Sequence, residues 1–505
     1  MAKTQGHNVL CGRMFRSAET ARTRSSSWAS LPTEIRLMIL EEISRQKHRG
    51  WASCASVCKE WQVFIEQKNF YRLNLRASCL QGLRDMVVRQ RHLVQYICLN
   101  IELLRYPCRS CQRTESSSQT SQHNSIVRET MHQLFSVLST WQPTCRLILE
   151  LNAYSPSDSE HWFKNYYFNL EHGHDGDLVQ GATTQWHDPA HGWVDGQQVE
   201  APGAPAILRL FSLLCISLPK SLPEVHAVTG LVIRRQLRRQ ICPAALRLLW
   251  ERLPRLESIV YEPWRILERS WKIMAHGELA SVIQDALPSH IRTVSIFEDF
   301  NDQLALALDS DAPYLGFTDT DPIVNPMLVG TLVSKSRDFE RLSISYMIDA
   351  RQFFKSCQLS YIWHRLQSLT LTSSILTQTA PQDGISALLN NASLIALNMP
   401  QLERMILWNG KRGEACAVIY HKKRGSGQAT LTWRGTWDLE LTHDVVESWK
   451  KVASDSYRLW IKNERVQGVI NSHGDAIYHL RLPVGVIDPV SLWQIRQEGM
   501  MQRMA

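Results

Sequence analysis

Apolar positions along this chain change their period once. From Trp28 to Leu75 they recur at helical spacing, and beyond that they gather into short runs of the form L-x-x-L-x-L. Ile35, Ile39 and Ile43 stand at i, i+4 and i+8, and Met38 and Leu40 widen the stripe. Glu34, Arg36, Glu41 and Glu42 take the opposite side. Ser30 is placed to cap a helix entered through Leu31-Pro32, where proline is tolerated because the first amides of a helix lack intrahelical partners. Gly50 interrupts the pattern, and Ala52, Ala55, Val57, Cys58, Trp61, Phe64 and Ile65 predict a second helix. A unit of about 45 residues buries little surface, so its wide apolar face needs cover from another surface.

The short runs share one phrasing: LVQYICL from Leu93, LESIVY from Leu256, IRTVSI from Ile291, FERLSI from Phe339, LQSLTL from Leu366 and LERMIL from Leu402. Each approximates the strand step of a leucine-rich repeat. The last five starts are 35, 48, 27 and 36 residues apart, so the expected array is irregular, with insertions. Helical patches after Pro243 and before Ile291 fall between the runs. The expected fold class is α/β (α+β overall), with an irregular repeat-like domain over 76–410; an ordinary α/β core with strands of similar phrasing is the alternative. Residues 411–505 change style. CAVIYHKKRGSGQATLTW predicts a hairpin, followed by a helix over 444–453, a strand over 476–482 and a closing helix capped at Asp488-Pro489. Such an α+β region would cap the open edge of the array.

Composition adds limits. With 44% hydrophobic residues the chain has enough apolar content for a large core, and its length implies two or more structural units. A net charge of +8 without a dense basic stripe argues against a nucleic-acid partner. No apolar stretch reaches the roughly 18 residues of a membrane span. Residues 1–27, rich in Arg and Ser without an apolar run, predict a disordered tail and not a secretory leader. The 12 scattered cysteines read as reduced thiols, with no disulfide framework, in a cytoplasmic or nuclear protein.

Candidate chemistry is sparse. Cys108-x-x-Cys111 has the spacing of half a zinc site or a redox pair, with His123 or His132 near enough in sequence to add a ligand, but no second Cys-x-x-Cys exists. His161, His172, His174, His187 and His191 crowd a second stretch with Asp175, Asp177 and Asp188, a loop-like segment in which no His-x-x-x-His pair is expected on a helix to fix the geometry. Neither is expected to hold a metal. Ser157 or Ser159 is expected to open a helix after Tyr154. Arg234, Arg235, Arg238 and Arg239 fall in two pairs four apart, the spacing of one solvated helical face. Two polar segments, 112–125 and 171–203, read as flexible loops. Nucleophile-elbow, Walker, zincin, kinase and dinucleotide motifs are absent from the sequence, so no catalytic or cofactor-binding residue is expected and the chain reads as a binding protein.

The order Leu31-Pro32-x-Glu34-Ile35 with Ile39-Leu40, then Val57-Cys58-Lys59-x-Trp61, resembles the F-box pattern, in which LPxE opens the first helix and VCxxW lies on a later one. This three-helix unit, expected over 28–75, covers about a tenth of the chain. The resemblance implies that Leu31, Pro32, Ile35, Ile39, Leu40, Val57, Cys58 and Trp61 bind a Skp-family adaptor, and through it a cullin scaffold, by apolar burial. QKHRGW between the halves departs from the usual connection. SWASLPTEIRLMILEEI, IELLRYPCRSC and LELNAYSPSDSEHWFKNYYF are together similar to fungal F-box-like proteins with a C-terminal domain of unknown function. The resemblance implies a substrate-recognition subunit of a ubiquitin ligase whose larger part holds a protein target. A scaffold with an F-box-like fold and no ligase role is the alternative, separated from the first by how exposed the Leu31–Trp61 face is.

Overall fold

In the computed structural model the six L-x-x-L-x-L runs become neighbouring or near-neighbouring strands of one sheet. Residues 28–46, 50–142, 146–164, 188–216, 222–311, 325–454, 456–483 and 485–501 are described. The predicted tail 1–27 and positions 171–187 of the second predicted loop lie outside them. The chain divides into two units, Met1–Asn69 and Phe70–Ala505.

In the first unit a 3-10 turn at Trp28–Ser30 leads into the helix Thr33–Gln46. Pro32 stands immediately before it, and its carbonyl accepts the Arg36 amide at 3.1 Å, as a helix-entry proline can. Gly50 takes φ +88°, the left-handed turn that glycine allows without strain. The second predicted helix is divided: a 3-10 segment, Trp51–Ser56, precedes the α-helix Lys59–Tyr71. Glu60 ties the two halves by accepting the Trp28 indole N–H at 2.8 Å and the Arg36 guanidinium at 3.2 Å. Trp61 packs against Trp28 with ring centroids 5.2 Å apart.

The second unit is built on a 12-stranded sheet in which the strands lie side by side in the order of the sequence. From Arg72–Arg76 through Tyr96–Glu102, Leu147–Tyr154, Val228–Ile233, Ser258–Tyr261, Thr293–Phe297, Arg341–Ser345 and Ser368–Thr372 to Arg404–Lys411, every neighbouring pair is parallel. The leading apolar residue of each later run, Leu256, Ile291, Phe339, Leu366 and Leu402, is buried two positions ahead of its strand. The residue after it donates its amide to the equivalent carbonyl of the preceding strand. Glu257 bonds to Thr229, Arg292 to Glu257, Glu340 to Arg292, Gln367 to Glu340 and Glu403 to Gln367, each at 2.8 Å. One local geometry therefore recurs despite the uneven spacing.

The helices that connect these strands also contact one another in sequence order, Pro243–Glu251, Arg269–Ala286, Pro326–Lys335, Ala350–Ser356, Gln382–Ala396 and His443–Ala453. They cover one face of the sheet. Strand alternation then decides what each residue touches. Met405 and Leu407 join the large core beneath these helices, whereas Ile406 and Trp408 face a second core with Ile477, Leu480 and Ile495 from two C-terminal helices, His473–His479 and Pro489–Met501.

Several expectations are corrected. The polar stretch 112–125 is largely helix, Ser117–Leu138, opened by a capping box in which Ser116 and Gln119 exchange hydrogen bonds. Residues 476–482, expected as a strand, belong mostly to the helix His473–His479. Ser155 and not Ser157 or Ser159 caps the helix Pro156–His161. Within 171–203 the described part holds a small hairpin, Trp193–Val194 with Gln197–Gln198. The expected border at 410/411 falls inside a second hairpin, Arg404–Lys411 with Glu414–Lys423, so the C-terminal region continues the sheet. The expected F-box border at 75 likewise gives way to a division after Asn69, because Arg72–Arg76 is the first strand of the sheet.

Candidate functional site

Three groups of side chains carry the chemistry. The first is the apolar face of the N-terminal helices. Of the residues that the F-box resemblance marks, Pro32, Ile35, Val57 and Cys58 are exposed, Leu31, Ile39 and Trp61 are half-buried, and Leu40 is buried. Ile35 is 41% exposed, Val57 63% and Met38 64%, with Leu37 and Val63 exposed beside them. On the first helix these open apolar side chains share the exposed side with Glu34, Glu41, Glu42 and Arg45.

The second group lies at the carboxyl ends of the parallel strands, where open α/β sheets place ligands. Arg234 and Arg235 follow directly on the strand Val228–Ile233, so the four-arginine stretch is not the predicted solvated helix. Arg234, Arg235 and Arg239 are buried. Arg234 donates Nε to Glu150 at 2.6 Å, a carboxylate that also accepts the Tyr96 hydroxyl at 2.7 Å. Arg235 pairs through Nε with Asp299 and through Nη2 with Glu498 at 2.7 Å. His473 Nε2 lies 2.8 Å from the other Asp299 oxygen. Glu298, on the same turn, meets Arg265 at 3.1 Å and Lys272 at 3.4 Å. Burial works against ionisation of Asp299 and Glu298, but these cations outweigh it and hold both carboxyls below the usual range.

This cluster is occupied by the chain itself. Glu498 and Gln494 reach Arg235 from the closing helix, which begins at Pro489 behind an Asp488 cap, so the ends of the strands are shut by the C-terminus. The cavity left among Ile233, Glu262, Trp264, His276 and Glu298 is about 50 Å³, room for a water or two and far below a ligand pocket. The charges act as a lock. No motif marks these carboxylates, but the sequence carries one signal: apolar strand residues followed at once by charge, in VIRR, VYE and IFED.

A neighbouring pair sets a pH dependence. The Glu115 side chain is largely covered, which alone would raise its pKa, but His123 Nδ1 at 3.3 Å and Arg239 Nη1 at 2.6 Å pull it down to about 2. A carboxyl depressed in the folded state contributes stability above its unfolded value of about 4.5, and that stability drains away as pH falls toward 2. Thermal midpoints measured from pH 6 to pH 2.5 are therefore expected to fall less steeply for Glu115→Gln than for wild type. Parallel slopes would contradict the pairing.

The third group unites two features that the sequence keeps apart. Cys108, Cys111, His161 and His191 place one ligand atom each within 4.8 Å of all the others, with Cys108 Sγ 3.1 Å from His191 Nε2. His123 joins Glu115 instead, and His132 lies outside the cluster. His172, His174, Asp175, Asp177 and His187 lie outside the described residues. The loop carrying the cysteines is stitched to the helix Pro156–His161. Tyr106 donates its amide to Ser157 Oγ at 3.1 Å and its hydroxyl to Asp158 at 3.0 Å, and Ser155 Oγ donates to the Leu104 carbonyl at 2.8 Å. His191 is set by backbone bonds from Ala190 to Glu160 at 2.9 Å and from its own amide to the His161 carbonyl at 2.8 Å.

Among the described residues no helix is long and apolar enough to cross a membrane. No curated protein matches the chain. Residues 286–488, which take in the strands from Thr293–Phe297 to Arg458–Arg465 and the helix His473–His479 but neither the N-terminal helices nor the cysteine loop, match a family of unknown function, DUF6546.

Proposed function

We propose that this chain is a substrate-recognition subunit of an SCF-type cullin-RING ubiquitin ligase, docking on a Skp-family adaptor through its N-terminal helices and holding a protein target with its large second unit. The observation that carries the reading is the openness of Ile35 and Val57, with Pro32 and Cys58, on a face whose sequence resembles an F-box. Burying each aliphatic side chain against a partner is worth about 1.5–3 kcal/mol, so a few such residues supply a useful affinity without any catalytic group. No covalent step takes place on this chain. Ubiquitin transfer belongs to the ligase.

The second unit is read as an irregular leucine-rich-repeat-like array. Its support is the recurring bond between equivalent residues of successive strands and the stacking of successive helices, which leave long surfaces of the kind repeat proteins use for binding. The hairpin strands Glu414–Lys423 and Gln428–Gly435 and the C-terminal helices serve as its cap.

Burial of Leu40 and the packing of Trp61 on Trp28 favour a second reading, a scaffold with an F-box-like fold and no ligase partner. Gel filtration separates the two. The purified full chain mixed with a Skp-family adaptor and cullin is expected to elute with both; elution of the chain alone would support the scaffold.

A further inference from the structure

We propose that Cys108, Cys111, His161 and His191 form a structural zinc site that fastens the loop after the second sheet strand to the helix Pro156–His161 and the hairpin that follows His191. Three separate stretches of chain deliver the four ligands, and each is held by hydrogen bonds that leave the four ligand side chains free. Their convergence is thus a property of the fold. In a tetrahedral Cys2His2 site, zinc–sulfur and zinc–nitrogen bonds of about 2.3 and 2.0–2.1 Å place ligand atoms about 3.3–3.8 Å from each other. The observed atoms all lie within 4.8 Å, so side-chain movements of about an ångström complete the geometry.

Cys108 and Cys111 flank a single 3-10 turn, closed by the Cys111 amide bonding to the Cys108 carbonyl at 3.0 Å, which turns both side chains toward one point. A second observation points to a ligand. His161 is only 9% exposed, yet its Nδ1 is buried without a hydrogen-bond partner among the described residues. An unsatisfied buried nitrogen is costly, and coordination removes the cost. The site is enclosed on one side and open at Cys108: Cys111 and Trp162 belong to one apolar cluster, and the Trp162 and His161 rings lie 5.1 and 5.7 Å from that of His191.

The donor set selects the metal. Two thiolates and two imidazoles suit zinc and exclude the hard cations, which take oxygen. The two thiolates also balance the dication, leaving the partly buried site neutral. Four protein ligands leave no open position for a reacting water, so the role is structural.

The test uses the untagged full chain, purified under reducing conditions with zinc present and then desalted. Metal analysis is expected to find about one zinc per chain, lost in Cys111→Ser and in His191→Ala and retained in Cys79→Ser, which alters an exposed cysteine outside the cluster. Cobalt added to the metal-free wild type is expected to give the visible bands of a tetrahedral ion with thiolate-to-cobalt charge transfer, a readout that needs no variant to fold. A chelator is expected to lower the thermal midpoint of the wild type and leave Cys111→Ser unmoved. Less than about a tenth of a zinc per chain, a cobalt spectrum without thiolate character, or a Cys108–Cys111 disulfide in the native protein would overturn the site.

Discussion

Arg235→Ala is expected to destabilise the second unit by about 3–5 kcal/mol, the range for removing one partner of a buried ion pair. The loss is large because of what remains. Asp299 is 0% exposed and, among the described residues, keeps only His473 within ion-pair distance, while Glu498, on the closing helix, loses both of its guanidinium bonds from Arg235. Arg235→Lys is expected to recover part of the stability, since an ammonium can answer Asp299 but cannot span to Glu498 with a planar fork. Glu498→Gln should cost less than Arg235→Ala because its side chain is partly exposed and the amide still accepts. Urea unfolding of the three variants ranks them. A cost for Arg235→Ala within about 1 kcal/mol of zero would mean that the cluster does not lock the C-terminus to the sheet.

The paired substitution Ile35→Asp with Val57→Asp is expected to weaken adaptor binding by at least about 100-fold while shifting stability little. Ile35 keeps 41% and Val57 63% of its surface open, so the folded chain loses only part of a core residue's burial at each position. In the complex the open parts of the two side chains would together forfeit about 1.5–3 kcal/mol of apolar burial, and each new unpaired carboxylate in a dry contact would cost about 1–3 kcal/mol more. At 1.4 kcal/mol per tenfold the two together exceed two decades. Binding measured by biosensor, with circular dichroism to verify the fold, reads this directly. An affinity within threefold of wild type would remove the helical face from the contact.

The sheet was readable wherever burial and periodicity agree. Leu256, Ile291, Phe339, Leu366 and Leu402 lead their runs because each must fill the core just before a buried strand starts. Buried polar residues break that agreement. Leu147–Tyr154 carries Glu150 and Asn152 inside, and Val228–Ile233 runs straight into Arg234 and Arg235. Patterning assigns charges to water, yet these arginines find carboxylates as far as 263 residues away, a separation no local rule detects. The helix Ser117–Leu138 was hidden by a polar first half whose order comes from the Ser116 cap. The two cysteines and two histidines likewise stand apart in the sequence: Cys108 and His191 are 83 positions from each other, and only the fold brings them together. Helical spacing located the first N-terminal helix but not which of its apolar residues stay open: Ile35, Leu37 and Met38 are exposed, whereas Ile39 is half-buried and Leu40 buried.

Calorimetric titration of the purified full chain with a Skp-family adaptor, repeated at several temperatures, tests the proposed function most directly. Saturable one-to-one binding is expected, with a negative heat-capacity change from apolar burial that disappears with Ile35→Asp and Val57→Asp. No heat and no complex for the wild type, or equal binding by wild type and variant, would contradict the adaptor role.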